Sequence, residues 1–322
     1  MIPDLHSARK PLLSLRSSPT TAAETDLSPG SPMTQVVLDT ISIRDFADYQ
    51  NHLFAIREVN ESRFKYELGL LSGADETVTP GFCYVCQHQV DFLIDFKHAG
   101  EHYEGNIRIP NWRERLVCPD CQLNNRTRAC IHFLNESLLS KRHDSIYVTE
   151  QVTPLYTSLA NCFPKLIGSE YLGDRIPYGS INEQGIRNES ITRLSFKNDS
   201  FDFILSFDVF EHVPEYSKAL KECLRCLKSG GILLFTVPFI SAIEDNLVRA
   251  TLGAGGELVH LLEPEYHGDP VNDEGCLCFY HFGWNLLEEM RAAGFAKVNA
   301  HLYWSKQYGY LGGEQLLFAA TK

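Results

Sequence analysis

The fold of this chain is decided by two stretches of sequence, LSFKNDSFDFILSFDVFEHV (residues 194–213) and LKSGGILLFTVP (residues 227–238). The apolar run from Phe201 to Ser206 predicts a buried strand, and the apolar end of the second stretch, from Ile232 to Val237, predicts another. Between them, Tyr216 to Leu227 has apolar residues at helical spacing, and we expect Ser229-Gly230-Gly231 to close that helix. A strand, a helix and a strand in this order are typical of a parallel sheet with crossover helices.

The same pattern continues along the chain in both directions. The sequence predicts strands at 145–149 and 165–169, helices at 155–162 and 284–293, the second stopped by Gly294, and strands at 297–304 and 315–320. A Gly-rich connection from Tyr308 to Gly313 joins the last two strands, so we expect an antiparallel hairpin at the end of the sheet.

Composition excludes several classes of protein. With 322 residues, 44% of them hydrophobic and 22% charged, the chain matches an ordinary globular protein. The longest mainly apolar run, Gly231 to Ile243, is shorter than the roughly 20 residues that a bilayer span needs, so we expect no membrane partner. A net charge of -12 argues against nucleic acid as a partner. Ten cysteines without a secretory leader indicate a reducing compartment, and we expect a cytoplasmic protein.

The two quoted stretches resemble class I S-adenosylmethionine-dependent methyltransferases, most nearly the type 11 group. The resemblance implies an α/β fold with a Rossmann-like seven-stranded sheet laid on roughly the last 180 residues of the chain. It also implies an enzyme that transfers the methyl group of S-adenosylmethionine. Independently of the family, ligands of open α/β sheets bind beyond the carboxyl ends of the strands, which places the site after Ser206.

The resemblance implies a set of cofactor residues. The family's ribose-binding carboxylate ends the second strand, a position that Glu170 matches, and the adenine-side acidic position falls on Ser190 with Glu189 adjacent. We expect Ser206, Phe207 and Asp208 to border the methionine part of the cofactor. We expect Glu211 and His212 to open the next helix, and we interpret His212 as a structural residue that anchors this helix, with catalysis as the alternative.

One departure from the family lies after the first strand, where the Gly-rich turn is replaced by YVTEQVTP (residues 147–154). Glycine permits close approach of backbone to ligand because it has no Cβ atom. Either Glu150 and its neighbours shape a different turn that still holds the cofactor, or cofactor binding has been lost; we favour the first.

Two cysteine pairs, Cys83-Tyr-Val-Cys86 and Cys118-Pro-Asp-Cys121, have the spacing of a four-sulfur zinc site. A redox pair and four unrelated core cysteines are the alternatives. Residues 80–130 contain six basic and six acidic side chains, a balance that suits a structural staple better than a phosphate-binding ribbon. We interpret the run Asn125-Arg126-Thr127-Arg128 as a solvated face, with contact to a substrate as the alternative.

A long insertion follows the strand that ends at Val237, and it contains PEYHGDP (residues 264–270). Loops of this kind cover sites at the carboxyl edge of a sheet. Methyl transfer to an oxygen acceptor can require a base, and His267 is our candidate for that role, against the alternative of a hydrogen-bonded loop histidine.

These inferences combine into one organisation. We predict a tail at 1–34, helices at 35–79, a zinc ribbon at 80–130 and a methyltransferase domain at 131–322, acting on a small-molecule or sugar-like acceptor with S-adenosylmethionine and a structural Zn²⁺. The alternatives are an RNA or protein methyltransferase that uses the ribbon for recruitment, and a non-catalytic binding protein with the same fold.

Overall fold

A computed structural model describes residues 38–71, 73–98 and 103–322. The predicted tail at 1–34 lies outside these residues. Six α-helices are described in them, together with a π-helical turn at Phe133–Ser137 and a 3₁₀ turn at Phe210–His212. The α-helices are α1 (Phe46–Ala55), α2 (Arg57–Gly69), α3 (Asn125–His132), α4 (Pro154–Cys162), α5 (Tyr216–Cys226) and α6 (Asn285–Ala293). None of the described helices is long and apolar enough to cross a membrane.

The described strands form one large sheet, four small hairpins and one further two-stranded sheet, in which β10 pairs with β15. They are β1 (Thr40–Ile43), β2 (Glu76–Cys83), β3 (His88–Asp95), β4 (Tyr103–Glu104), β5 (Ile107–Arg108), β6 (Ile146–Val148), β7 (Leu166–Gly168), β8 (Phe201–Phe207), β9 (Leu227–Thr236), β10 (Leu247–Val248), β11 (Ala250–Leu252), β12 (Leu258–His260), β13 (Tyr266–Asp269), β14 (Asn272–Leu277), β15 (Tyr280–His281), β16 (Lys297–Ser305) and β17 (Tyr310–Thr321).

The large sheet has seven strands in the order β1-β16-β17-β9-β8-β6-β7. Strands β7, β6, β8 and β9 are parallel, whereas β17 is antiparallel to both β9 and β16. This arrangement confirms the predicted Rossmann-like α/β fold and the antiparallel hairpin at its end. Six of the seven strands come from the expected C-terminal part, but the seventh is β1, which pairs with β16 and lies where the sequence predicted only helices.

The sheet is covered on both faces. On one face, Leu220 of α5 and Met290 of α6 share a core with Phe235 of the sheet. On the other, Ala129 of α3 and Leu159 of α4 share a core with neighbouring strands. Because α3 follows the second cysteine pair directly, the cysteine region and the sheet pack together within one compact unit, Val36–Lys322.

Glycines were predicted to end two of the helices, α5 and α6. Gly294 ends α6 with a φ of 115°, as predicted, because this left-handed conformation favours a residue without a side chain. The prediction that Ser229-Gly230-Gly231 closes α5 is wrong: β9 begins at Leu227, directly after the helix. A Cβ atom on Gly231 would lie 3.0 Å from the carbonyl oxygen of Phe201, so this glycine permits close approach of β9 to the start of β8.

Candidate active site and cysteine cluster

A cavity of about 1570 Å³ lies at the carboxyl ends of the parallel strands β6, β7, β8 and β9. This is the edge at which ligands of open α/β sheets bind. Of the residues predicted to bind the cofactor, the cavity is lined by Glu150, Glu170, Glu189, Ser190, Phe207 and Asp208. Ser206 does not line it, because its side chain is buried within β8.

The loop after β6 is held by Glu170, which comes two residues after the end of β7. One carboxylate oxygen of Glu170 accepts hydrogen bonds from the amides of Gln151 (2.6 Å) and Val152 (3.0 Å). Gly168, the last residue of β7, also lies at this contact. A Cβ atom on Gly168 would be 2.7 Å from the carbonyl oxygen of Glu150. Gly168 at the end of β7 and the carboxylate of Glu170 just after it therefore shape a turn where the resemblance implies glycines in the loop itself.

Glu150 lies in this turn beside the cavity, and its carboxylate accepts a hydrogen bond from the hydroxyl of Thr153. Burial raises the pKa of Glu150 to about 7, and the neighbouring carboxylates of Glu170 and Asp208 act in the same direction. The side chain can therefore be present at neutral pH as an acid or as a carboxylate.

The two adenine-side candidates differ in their hydrogen bonds. Glu189 is buried, and its carboxylate accepts from the Nε of Arg187 (2.8 Å) and from the amide (2.9 Å) and hydroxyl (2.5 Å) of Ser195. The hydroxyl of Ser190 is 2.9 Å from that of Thr192, on the cavity wall. Glu189 thus braces the segment that carries Ser190.

Two arginines from the cysteine region reach the end of β8. Both terminal nitrogens of Arg113 donate to the carboxylate of Asp208, at 2.6 and 2.7 Å, and Arg126 lies 3.3 Å from the same carboxylate. Glu114 in turn accepts from Arg126 at 2.9 and 3.1 Å. Burial disfavours the ionised form of Asp208, but Arg113 and Arg126 outweigh burial and hold the pKa of Asp208 well below its usual range.

Sequence reasoning missed this cluster. The run Asn125–Arg128 was predicted as a solvated face, and that interpretation is wrong: Asn125, Arg126 and Arg128 are all buried. Polar residues are normally expected at the surface, but each of these three is buried together with its hydrogen-bond partners. Arg128 donates to the carbonyl oxygens of Tyr308 (2.6 Å) and Leu116 (3.0 Å). The complementary Arg and Glu charges at 113, 114 and 126 were the only sequence signal for such a cluster.

His267 lies on β13, on the insertion that forms another wall of the cavity. Its Nε2 is 3.0 Å from an oxygen of Glu265, and its Nδ1 is 3.7 Å from an oxygen of the buried Glu211. Glu211 raises the pKa of His267 to about 9, burial opposes this, and Glu265 adds to it. The imidazole is therefore mostly protonated at neutral pH and must lose that proton before it can act as a base.

The four predicted metal-binding cysteines converge. Cys83 and Cys86 lie at the tip of the β2–β3 hairpin, and the sulfur of Cys83 is 3.8 Å from that of Cys121, while that of Cys86 is 3.7 Å from that of Cys118. A tetrahedral zinc ion with Zn–S bonds of about 2.3 Å requires sulfur atoms about 3.8 Å apart. The donor set and its spacing therefore fit a closed four-sulfur site.

Comparison with known protein families gives one match. Residues 172–235, which include β8, α5 and most of β9, match the family model described as the methyltransferase domain. Residues 172–235 of the chain are therefore similar to a methyltransferase domain. The match confirms the predicted enzyme class, and S-adenosylmethionine-dependent methyl transfer is the activity that it supports.

Several solved structures resemble the chain at low identity. An S-adenosylmethionine-dependent methyltransferase from Mesorhizobium loti is 13% identical, with a TM-score of 0.36, over 60% of this chain and 98% of its own. A methyltransferase from Methanosarcina mazei is 17% identical (TM-score 0.33; 58% and 95% covered). The 1,6-didemethyltoxoflavin-N1-methyltransferase of Burkholderia thailandensis, solved with S-adenosylhomocysteine, is 15% identical (TM-score 0.36; 61% and 77% covered). No curated protein matches the chain significantly.

Proposed function

We propose that this protein transfers the methyl group of S-adenosylmethionine to a small-molecule or sugar-like acceptor. The observation that carries the proposal is Glu170, a carboxylate in the cavity wall just beyond the second parallel strand, where the family holds the cofactor's ribose. One oxygen of Glu170 fixes the loop after β6. Its second oxygen makes no hydrogen bond to the described residues, so it can accept from ribose hydroxyls.

The remaining cofactor contacts follow from the same edge of the sheet. Ser190 offers a hydroxyl on the adenine side, and Phe207 and Asp208 lie at the end of β8, where the methionine part would bind. Arg113 and Arg126 pair with Asp208 and Glu114, so the four charges balance and fix the end of β8 at the cavity wall. Methyl transfer then depends on holding the acceptor in line with the methyl group, since proximity and orientation alone supply much of the acceleration.

The proposal includes a structural zinc ion held by Cys83, Cys86, Cys118 and Cys121. It would secure the hairpin and the segment that leads to Arg113, Glu114 and α3. The ion would therefore act indirectly on the site, by fixing the arginines that contact Asp208. A four-thiolate zinc centre carries net negative charge, and the buried guanidinium of Arg128 interacts electrostatically with Cys83, Cys118 and Cys121.

A small acceptor is favoured over a macromolecule because four of the six basic side chains in residues 80–130 make contacts inside the protein, while Lys97 and Arg108 are exposed. Arg113 and Arg126 contact Asp208, Arg115 contacts Asp95 at 2.5 Å, and Arg128 binds backbone carbonyls. A ribbon that recruits RNA would instead present its basic side chains to solvent, where phosphates could reach them.

Transfer of a radiolabelled methyl group tests the proposal. The purified protein is incubated with methyl-labelled S-adenosylmethionine and a cell extract that has been separated into small-molecule, RNA and protein fractions. We expect label in the small-molecule fraction only, and less of it with Glu170→Gln. Label in RNA or protein would favour recruitment by the ribbon. Cofactor binding without transfer to any fraction would favour a non-catalytic binding protein.

A further inference from the structure

Glu211 is a buried carboxylate that the proposed function does not use. It lies in the 3₁₀ turn Phe210–His212 that follows β8, its exposure is 0%, and neither carboxylate oxygen has a hydrogen-bond partner among the described residues. A buried charged group without partners is costly, because it loses the hydration that it has in the unfolded chain. No described side chain donates a hydrogen bond to this carboxylate. A bound cation would stabilise its charge.

Two imidazoles face this carboxylate. One oxygen of Glu211 is 3.5 Å from the Nε2 of His212 and 3.7 Å from the Nδ1 of His267. In each ring the other nitrogen has its own acceptor: the Nδ1 of His212 is 2.9 Å from the carbonyl oxygen of Leu277, and the Nε2 of His267 is 3.0 Å from Glu265. In the neutral ring, in which only these nitrogens carry a proton, the nitrogen that faces Glu211 presents a lone pair, so a cation bound there would displace the second proton of His267.

We propose that Glu211, His212 and His267 form a binding site for one divalent transition-metal cation in the wall of the cavity. The three ligand atoms lie within 4.8 Å of one another. Bonds of about 2.1 Å at tetrahedral angles would place ligand atoms about 3.4 Å apart, close to the two distances measured from Glu211. Two histidines and one carboxylate are a donor set that zinc and ferrous iron use when further coordination positions stay open.

Glu265 positions a ligand in this site and does not itself bind the cation. One of its oxygens is 3.0 Å from both His267 and His281, and the other is 3.2 Å from Arg249. The guanidinium of Arg249 already neutralises the carboxylate. A carboxylate that accepts the second ring proton of a liganding histidine fixes the orientation of that ring and raises its basicity.

The open positions of the cation would face the cavity. His212 and His267 both line it, whereas Glu211 lies behind them. An acceptor with a hydroxyl or carboxylate oxygen could therefore bind the metal on its way to the methyl group. Binding of the acceptor to the metal rests on the proposed function. The metal site itself does not, and metal binding can be measured without cofactor or acceptor.

Titration with Mn²⁺ alone tests the site, because nitrogen and oxygen donors accept Mn²⁺ more readily than four thiolates do. Full-length protein is dialysed against a chelator, its residual zinc is counted, and bound Mn²⁺ is followed by electron paramagnetic resonance. We expect one Mn²⁺ per chain. Glu211→Gln and His267→Gln should each weaken Mn²⁺ binding by about 100-fold or more, and Glu265→Gln by about 10- to 100-fold.

The matched control is His260→Gln, which changes an exposed histidine of the same insertion and should leave Mn²⁺ affinity unchanged. If Glu211→Gln fails to fold, the two histidine substitutions His212→Gln and His267→Gln carry the test. Wild-type protein that binds no Mn²⁺, or variants that bind it as tightly as wild type, would overturn the metal site. Binding of S-adenosylmethionine is measured separately, so failure of one proposal does not imply failure of the other.

Discussion

Replacement of Glu170 by glutamine separates the two tasks that the structure gives to this side chain. The glutamine carbonyl can still accept from the amides of Gln151 and Val152, which lie 2.6 and 3.0 Å from the same carboxylate oxygen. The second oxygen becomes an NH₂ group, which is a donor and cannot accept from ribose hydroxyls. The loop after β6 is therefore retained, while the charged acceptor is lost.

The size of the effect follows from the bonds removed. A hydrogen bond to a charged group contributes about 1.5 to 3 kcal/mol, so Glu170→Gln should raise the Kd for S-adenosylmethionine about 10- to 150-fold. Isothermal titration calorimetry measures the Kd, and thermal unfolding checks that the fold is intact. Glu183→Gln, at an exposed glutamate outside the cavity wall, is the control and should bind the cofactor as wild type does.

Glu170→Ala provides the contrast. It removes the acceptor for both loop amides as well, so we expect a further loss of stability of about 1 to 2 kcal/mol that Glu170→Gln does not show. Unchanged affinity for S-adenosylmethionine in folded Glu170→Gln protein would refute the assignment of Glu170 to the ribose. Equal destabilisation by the two substitutions would refute its role in the loop.

Three further predictions concern the metal, the acceptor side and the charge cluster. Cys118→Ser should lose one zinc equivalent by elemental analysis and destabilise the chain, whereas Cys162→Ser, at an exposed cysteine, should keep the zinc; equal zinc in both would contradict the four-sulfur site. His267→Ala should lower turnover about 10²-fold or more and leave S-adenosylmethionine affinity nearly unchanged, whether the imidazole acts as the base or holds the proposed cation beside the acceptor; full turnover at saturating acceptor would remove His267 from the reaction. Asp208→Asn should cost about 2 to 4 kcal/mol at pH 7 because two partly buried guanidiniums lose their counter-charge. Since the pKa of Asp208 is lowered in the folded state, its contribution is present above the ordinary pKa near 3.8 and is lost as the pH falls further, so the difference between wild type and variant should shrink below about pH 4 in chemical denaturation curves.

The parts of the fold that depend on local pattern were predictable from the sequence. Strands β6 and β8, and the part of β9 from Ile232 onward, are short apolar runs, and Gly294 ends α6 because its conformation favours glycine. The cysteine cluster was predictable for the same reason, since two residues between paired cysteines leave both sulfurs on one knuckle. In each case the signal lies within a few residues.

The remaining features depend on contacts between distant residues. β1 is a four-residue strand whose one partner among the described strands, β16, lies more than 250 residues away. Arg113 and Asp208 are 95 residues apart, and neither sequence neighbourhood indicates the other. The burial of Glu211 could not be predicted from the local sequence either. A glutamate beside a histidine is polar in any sequence pattern, and only the folded chain places Glu211 out of contact with solvent.

Calorimetric titration of the wild-type protein with S-adenosylmethionine, and then with S-adenosylhomocysteine, tests the central claim most directly. The claim is that Glu170 and Gly168 shape a working cofactor site although the loop after β6 contains no glycine. We predict saturable binding of both ligands at one site per chain. Folded protein that binds neither ligand would contradict the account, and would leave a methyltransferase fold that no longer holds its cofactor.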